Sequence, residues 1–345
     1  MTTKCLSVAI IGAGDIAGGY DRRRADHALG IYTHAGAYRE SGQFSLKMVF
    51  DVNARRARDF AHYWRIERTC ENLDEICAAR HDVVSVCTPD DTHYGIIKRL
   101  LQSRCCTAIF SEKPLAADFS RVEELASLAE DAGVRLVVNH QRRHDPVHRQ
   151  IRDRIQQGRE KVLSASAHYM KGLRHIGVTM VNTLTYLCGY PQAVLTFNRV
   201  LNPEINEHSF EFVLYYDGFT AAVKTTDAER FQYNYHIFEI DLLFADGRVA
   251  TVGNSRYVRE TPVGGYAYSG VKMLDETRST MRQTDYDRSM CRAVDYLYGI
   301  TAGTQAHDLN TSGESYNDML ILSRIAESYD SGCEKLIMDH DKWKK

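Results

Sequence analysis

The sequence predicts an α/β chain in two halves: a parallel sheet covered by helices, then an α+β domain on a mostly antiparallel open sheet. Three observations carry this expectation. Short apolar runs alternate with amphipathic stretches through the first half. The second half instead passes from strand to strand through hairpin-type turns. A length of 345 residues is too great for one ordinary core and comfortable for two.

In the first half, Cys5–Ile11, Ser45–Asp51, Asp82–Cys87, Thr107–Ser111 and Val134–Asn139 read as buried strands, several rich in β-branched residues. Asp15–Glu40, Asn53–Trp64, Leu73–Ala79, Thr92–Ser103 and Ser120–Ala132 read as the helices between them. That repetition implies right-handed crossovers and a sheet covered on both faces. The half ends near Asp145-Pro146, where a proline opens a new helix.

In the second half, Val162–Met170 reads as a strand and Gly177–Cys188 as a helix. The strands Ala193–Leu201, Ser209–Tyr216, Thr220–Thr226 and Tyr233–Phe244 follow. Tyr215-Tyr216-Asp217-Gly218-Phe219 and Ala245-Asp246-Gly247-Arg248 are the hairpin signals. In Tyr233–Phe244, the residues Phe238, Ile240, Leu242 and Phe244 share one face while Glu239 and Asp241 take the other. Gly253–Arg288 is polar and aperiodic and is expected to be a long loop near a functional surface. Ser289–Gly299 and Ser312–Ser328 read as closing helices. The expected domains are 1–145, 146–310, and a C-terminal helix within 311–345 packing back.

Composition excludes several classes. Hydrophobic residues at 44% and charged residues at 26% are ordinary globular values, and a net charge of −2 provides no basic stripe for nucleic acid. No apolar run approaches the ~20 residues of a membrane span, and Met1-Thr2-Thr3-Lys4 leaves no room for a signal peptide before the first strand. The nine cysteines form no C-x-x-C pair, and Cys5, Cys87 and Cys188 lie in apolar segments. Adjacent Cys105-Cys106 suit neither a simple disulfide nor a zinc site. A reduced, cytoplasmic protein is expected.

Gly12-Ala13-Gly14-Asp15-Ile16-Ala17 directly follows the strand Val8-Ala9-Ile10-Ile11. Gly12 permits a tight turn, Gly14 leaves room for a pyrophosphate, and Ala17 replaces the third glycine of a dinucleotide-binding fingerprint. The first turn of the following helix, Asp15 and Ile16, presents amide groups to the phosphates. Asp51, ending the next strand, is placed to accept from ribose hydroxyls and so favours NAD over NADP. The spacing from Gly12 exceeds the usual ~20 residues, so an insertion, Gly19–Thr33, is expected. Arg55 and Arg56 offer the alternative of holding a 2′-phosphate, capping of the next helix is the other reading of Asp51, and Arg22-Arg23-Arg24 reads as a solvated run or a phosphate contact.

Further motifs follow in order: Thr33-His34-Ala35-Gly36-Ala37-Tyr38, Thr88-Pro89 with Thr92-His93, Glu112-Lys113-Pro114-Leu115-Ala116, Asn139-His140-Gln141-Arg142-Arg143, and Tyr186-Leu187-Cys188-Gly189. With the fingerprint, this series resembles the glucose–fructose oxidoreductase/inositol dehydrogenase/rhizopine catabolism (Gfo/Idh/MocA) family over at least residues 5–190. The resemblance implies a Rossmann domain, NAD(P), and hydride transfer on a sugar, cyclitol or nucleotide sugar. It also implies a homodimer or homotetramer formed through the C-terminal sheet. By the same resemblance Thr88, Pro89 and His93 line the cofactor cleft, and Glu112 and Lys113 lie near the nicotinamide. An ammonium such as that of Lys113 polarises a carbonyl or steadies a developing alkoxide.

The resemblance breaks at Gly172-Leu173-Arg174-His175-Ile176-Gly177-Val178-Thr179. The register places His175 at the family's first acidic position, Thr179 where a histidine acid/base stands, and Asn182 at the last position. Threonine cannot exchange a proton near neutral pH as imidazole can. His175 one turn earlier is the first substitute, and Lys113 with Tyr169, Tyr266 or Tyr268 as relay is the second. A chain without ordinary dehydrogenation is the third: a regulatory protein that binds cofactor, or an epimerase or lyase that uses NAD with no net redox change. His140, His144 and His148 recur at four-residue spacing, but with no acidic partner pattern no metal is expected. Arg142 or Arg143 is expected to orient Glu112 or a substrate oxygen, and Tyr169 and Asn182 to face substrate.

Overall fold

The computed structural model describes residues 5–24, 30–226, 237–266 and 270–338. The chain divides into two units, each made from two stretches: the segment up to His144 with Asp287–Tyr316, and Asp145–Tyr286 with the segment from Asn317 on.

The first unit carries the strands β1 (Leu6–Ile11), β2 (Phe44–Phe50), β3 (Arg68–Cys70), β4 (His81–Val86), β5 (Cys106–Ser111) and β6 (Arg135–Val138). They pair in parallel in the order β3-β2-β1-β4-β5-β6. Val8, Ile10, Val83, Ala108, Phe110 and Val137 are fully buried, as a sheet covered on both faces requires. The order reverses at β1, which makes the crevice beyond the carboxyl ends of β1 and β4 the switch point where such sheets take ligands. The short edge strand β3 escapes sequence reading because its three residues show no apolar run.

The helices of this unit are α1 (Tyr20–Arg23), α2 (His34–Ser41), α3 (Ala54–Trp64), α4 (Leu73–Ala78), α5 (His93–Ser103) and α6 (Phe119–Ala132). Thr33, Asn53, Asn72 and Asp118 each accept a backbone N–H at the start of α2, α3, α4 and α6. Where a single helix is expected over Asp15–Glu40, a π-helical turn, Asp15–Gly19, leads into α1, which ends at Arg23, and α2 begins only at His34. Two local causes are visible. Gly18 lies so close to Trp64 that a Cβ there would overlap the indole. Asp21, 1% exposed, accepts from the backbone of Tyr32 and Thr33 and from Thr33 Oγ1 at 2.6 Å, pinning the chain where α2 begins.

The second unit opens with α7 (Pro146–Gln156), whose first turn Asp145 caps at 2.9 Å through the His148 amide. Then come β7 (Val162–Tyr169), α8 (Val178–Cys188), β8 (Ala193–Asn202), β9 (Glu207–Tyr215), β10 (Thr220–Thr225), β11 (Phe238–Phe244) and β12 (Gly247–Val252). β13 (Tyr257–Tyr266), β14 (Lys272–Leu274) and β15 (Thr280–Gln283) follow, and β16 (Leu336–Ile337) lies near the end. Their order is β14-β13-β12-β11-β7-β10-β9-β8-β16, with β15 also on β13. In this sheet, among the described residues, only the β7–β10 ladder is parallel. Gly218, at φ 83°, turns β9 into β10, and the alternation of Phe238–Phe244 buries the expected apolar face.

The segment Gly253–Arg288, expected to be a long loop, instead carries β13, β14 and β15. Its polar residues misled the periodicity because they are compensated from elsewhere: Glu260 accepts from Arg154 on α7 and from Arg282 on β15, each at 3.2 Å, while Val258 is buried. Tyr268 lies outside the described residues, as does the side chain of Tyr266.

The last helices are α9 (Ser289–Thr301) and α10 (Ser312–Asp330). Sequence placed α9 in the second domain, but it belongs to the first unit, where Met290, Ala293, Val294, Leu297 and Ile300 join the core of β1, Tyr38 and Phe44. α10 begins in the first unit and continues in the second. No described helix is long and apolar enough to cross a membrane.

Candidate cofactor and active site

The glycine turn forms as the sequence requires. Gly12 has φ 90°, and a Cβ on it would sit 2.6 Å from the Cys87 carbonyl oxygen, so only glycine fits between β1 and the loop after β4. Its N–H donates to Phe50 O at 2.8 Å. Gly14 is extended, and a Cβ there would meet nothing within 4 Å. The turn therefore opens onto space at the switch point, and these residues fit the pyrophosphate of a dinucleotide. Asp15 and Ile16 begin a five-residue turn, not a long helix, so the turn amides and not a helix dipole would meet the phosphates. Ala17 is buried in the core, and the closest packing position is its neighbour Gly18.

Asp51 is buried and already saturated. Oδ2 accepts from Ala13 N at 2.8 Å and Arg56 Nε at 3.0 Å, and Oδ1 accepts from Asn53 N and an Arg56 Nη, both at 2.8 Å. Burial pushes its carboxyl up, but the Arg56 guanidinium and the two amides outweigh burial and hold it below the usual range. Asn53, not Asp51, caps α3. The arginine run is also engaged. Arg23 donates to Asp15 at 2.7 Å, while Arg22 and Arg24 lie over the rings of Tyr63 and Tyr32.

Thr88 and Pro89 form the loop beyond β4, where Thr92 Oγ1 donates to the Thr88 hydroxyl and the Pro89 carbonyl, each at 2.7 Å. His93, expected to face the cofactor, is fully buried instead. Its Nδ1 lies 2.7 Å from Pro114 O and its Nε2 2.8 Å from Thr88 O, so it braces the two loops against each other.

Glu112 begins the loop after β5, its N–H donating to Val86 O at 2.9 Å. Its carboxylate is buried and accepts from His34 Nε2 at 3.0 Å and Asn139 Nδ2 at 2.6 Å. His34 Nδ1 lies 3.2 Å from Ser85 Oγ, which in turn lies 2.7 Å from Tyr38 OH. A chain of side chains from four elements thus fixes the Glu112 carboxylate. Burial pushes it up, but the His34 bond and charge, Asn139 and the charge of Lys113 together hold it low. Lys113, half-buried, follows it across a cis bond to Pro114.

The bonds that hold the Glu112 carboxylate come from His34 and Asn139. Arg143 is buried and pairs with Glu314, and Arg142 is buried beside it. His140 is buried among Arg143, Lys113, His144 and Arg142. Burial above all, reinforced by those charges, holds its imidazole well below the ordinary range. His144 meets Asn310 Nδ2 at 2.9 Å, and in the second unit His148 Nδ1 lies 2.6 Å from Asp145 Oδ2. No group of three His, Cys, Asp or Glu among the described residues is arranged to hold a metal ion.

In the second unit two expected substrate residues turn inward. Tyr169 is fully buried; its OH donates to Phe210 O at 3.0 Å and accepts from Phe210 N at 2.8 Å. Burial pushes its phenol well up, and both of its bonds go to the backbone of β9. Asn182, 1% exposed, donates to Asp318 Oδ2 at 2.6 Å and ties α8 to α10. His175 is exposed on a π-helical turn, Gly172–Gly177, and Thr179 is half-buried in the first turn of α8.

Sequence reading gave no role to His34, Ser85, Asn139 or Asp21. A histidine inside the apolar start of α2 was the available signal for the first.

Residues 6–140 match the family model described as "Oxidoreductase family, NAD-binding Rossmann fold". Inositol 2-dehydrogenase of Rhizobium meliloti (strain 1021) is 35% identical over 127 residues, 36% of this chain and 37% of the relative. D-glucoside 3-dehydrogenase of Escherichia coli (strain K12) is 27% identical over 238 residues, 67% of this chain and 59% of the relative. The matches thus span less than two thirds of either relative's length. A solved levoglucosan dehydrogenase, in complex with NADH and levoglucosan, superposes with a TM-score of 0.77 at 16% identity over 96% of this chain and 99% of that one, a likeness of fold. The reversed strand order, the glycine turn and the Glu112-Lys113 loop agree with these matches, which liken residues 6–140 to the NAD-binding Rossmann domain of the Gfo/Idh/MocA oxidoreductases.

Proposed function

We propose that the chain is an NAD(P)-dependent oxidoreductase acting on a hydroxyl or carbonyl of a sugar, cyclitol or nucleotide sugar, with NAD as the ordinary cofactor. The observation that carries this reading is the fixed Glu112 carboxylate beside Lys113, at the same strand ends as the open glycine turn. Bound nicotinamide would accept or donate the hydride. Gly12 and Gly14 would admit its pyrophosphate, Thr88 and Pro89 would border it, and Asp51 would meet the adenosine ribose. Lys113 would polarise the substrate oxygen, with the anchored Glu112 restricting where its backbone can move. His175, one turn before Thr179 and exposed, would supply or remove the hydroxyl proton in place of the family histidine. The carbohydrate and cyclitol names of the two relatives support this substrate class. A homodimer or homotetramer through the second unit's sheet and a cytoplasmic location belong to the same reading.

Thr179 in the position of the family histidine favours one second reading, a protein that binds cofactor without turnover. One experiment separates the two. The purified chain is titrated with NADH by fluorescence, then assayed at the nicotinamide absorbance band against sugars, cyclitols and nucleotide sugars. Binding with turnover of one class is expected. Binding without turnover across the panel would favour the second reading, and absence of binding would sink both.

A further inference from the structure

The acceptor positions that a ribose diol would need on Asp51 are held by Arg56. A carboxylate offers about four lone-pair sites, and the four donors described above account for all of them. Two of those donors, the amides of Ala13 and Asn53, belong to the glycine turn and to the residue capping α3, and cannot leave without opening both. The other two are one guanidinium. Its side chain is 51% exposed against 4% for Asp51, so this is the half of the arrangement that can swing away. Arg55, the other candidate, is 87% exposed and lies 4.0 Å from Asp59, one turn along α3. Asp15, the further carboxylate whose charge reaches Arg56, has its own partner in Arg23 at 2.7 Å.

Resting on the cofactor reading above, we propose that Arg56 is a specificity-determining residue. It competes with the ribose diol of NAD for Asp51 and offers a guanidinium to the 2′-phosphate of NADP. An Asp51 standing alone would repel that phosphate. Bridged by Arg56 Nε and one Nη, it is neutralised, and the donors the guanidinium keeps can meet a phosphate oxygen. The protein therefore discriminates weakly between the two cofactors, although the sequence position of Asp51 implies strict preference for NAD.

The test is equilibrium binding of NADH and NADPH to the wild-type protein, Arg56→Gln and Arg56→Lys, read by nicotinamide fluorescence at low and moderate salt. Wild type is expected to bind both. Arg56→Gln should shift the NADPH-to-NADH affinity ratio about ten-fold toward NADH, as loss of a charge-assisted hydrogen bond implies, with NADH binding unchanged or tighter. Arg56→Lys keeps the charge without the fork and should fall between. The salt dependence of NADPH binding should weaken in Arg56→Gln. A ratio that moves less than about two-fold in Arg56→Gln would overturn the role of Arg56 alone. Wild type binding neither cofactor would overturn the cofactor reading and this inference with it.

Discussion

The strand ends of the first unit and the start of α8 in the second both concentrate polar residues, but they commit them differently. Around β1, β4 and β5 the buried polar groups bond to one another and to loop backbone, and the result is a rigid rim: His93 between two carbonyls, and Glu112 between His34 and Asn139. In the second unit Tyr169 and Asn182 spend their hydrogen bonds on neighbouring elements of the fold. Histidine and threonine at 175 and 179 sit closer to solvent. A dinucleotide site is largely backbone shape, which a short motif specifies. A substrate site is made of side chains whose direction depends on what packs around them.

The strongest way to break this comparison is Lys113→Ala. Turnover is expected to fall by about 10²–10⁴-fold, the span of acid/base and electrostatic contributions, while NADH titration changes only several-fold. Equal losses in both would mean Lys113 shapes the cofactor site and not the chemistry. Tyr169→Phe tests the other side. It leaves the Phe210 N–H and C=O without their side-chain partner and should cost about 1–3 kcal/mol in urea unfolding, with kcat within about two-fold. A large loss of kcat at unchanged stability would return Tyr169 to the reaction.

The smallest effect is on pH. His140 is held neutral in the fold and binds a proton in the unfolded chain below about pH 6.5, so its contribution is complete above that pH and declines as pH falls. One such group gives a slope of up to about 1.4 kcal/mol per pH unit. Burial also lowers His81 and His307, which add to the same limb. Comparing urea midpoints at neutral and mildly acidic pH, His140→Gln should lose about one proton's worth of that slope. An unchanged slope would show that its imidazole is protonated in the fold.

Much of the first unit was legible because β-branched runs, the Gly12–Gly14 turn and helix caps are local. The helix over Asp15–Glu40 was misread because its break depends on Trp64 and on Asp21, contacts that no window of sequence displays. Gly253–Arg288 was misread for a related reason: Arg154 and Arg282 compensate Glu260 from elsewhere in the chain, so a paired strand carries the composition of a loop. In the candidate site, the identity of Glu112 and Lys113 could be read, but the partners that fix Glu112 could not, since His34 and Asn139 lie 78 and 27 residues away in sequence.

The membership of α9 in the first core has a consequence for how the protein is made. A ribosome that has finished β6 has supplied all six strands of the parallel sheet, yet the apolar surface that Met290, Val294, Leu297 and Ile300 cover is still bare. Roughly 150 further residues must be added first, which at ordinary synthesis rates takes about 8–30 s. During that interval the nascent sheet is a client for chaperones. A fragment cut after residue 145 would be trapped in that state for good.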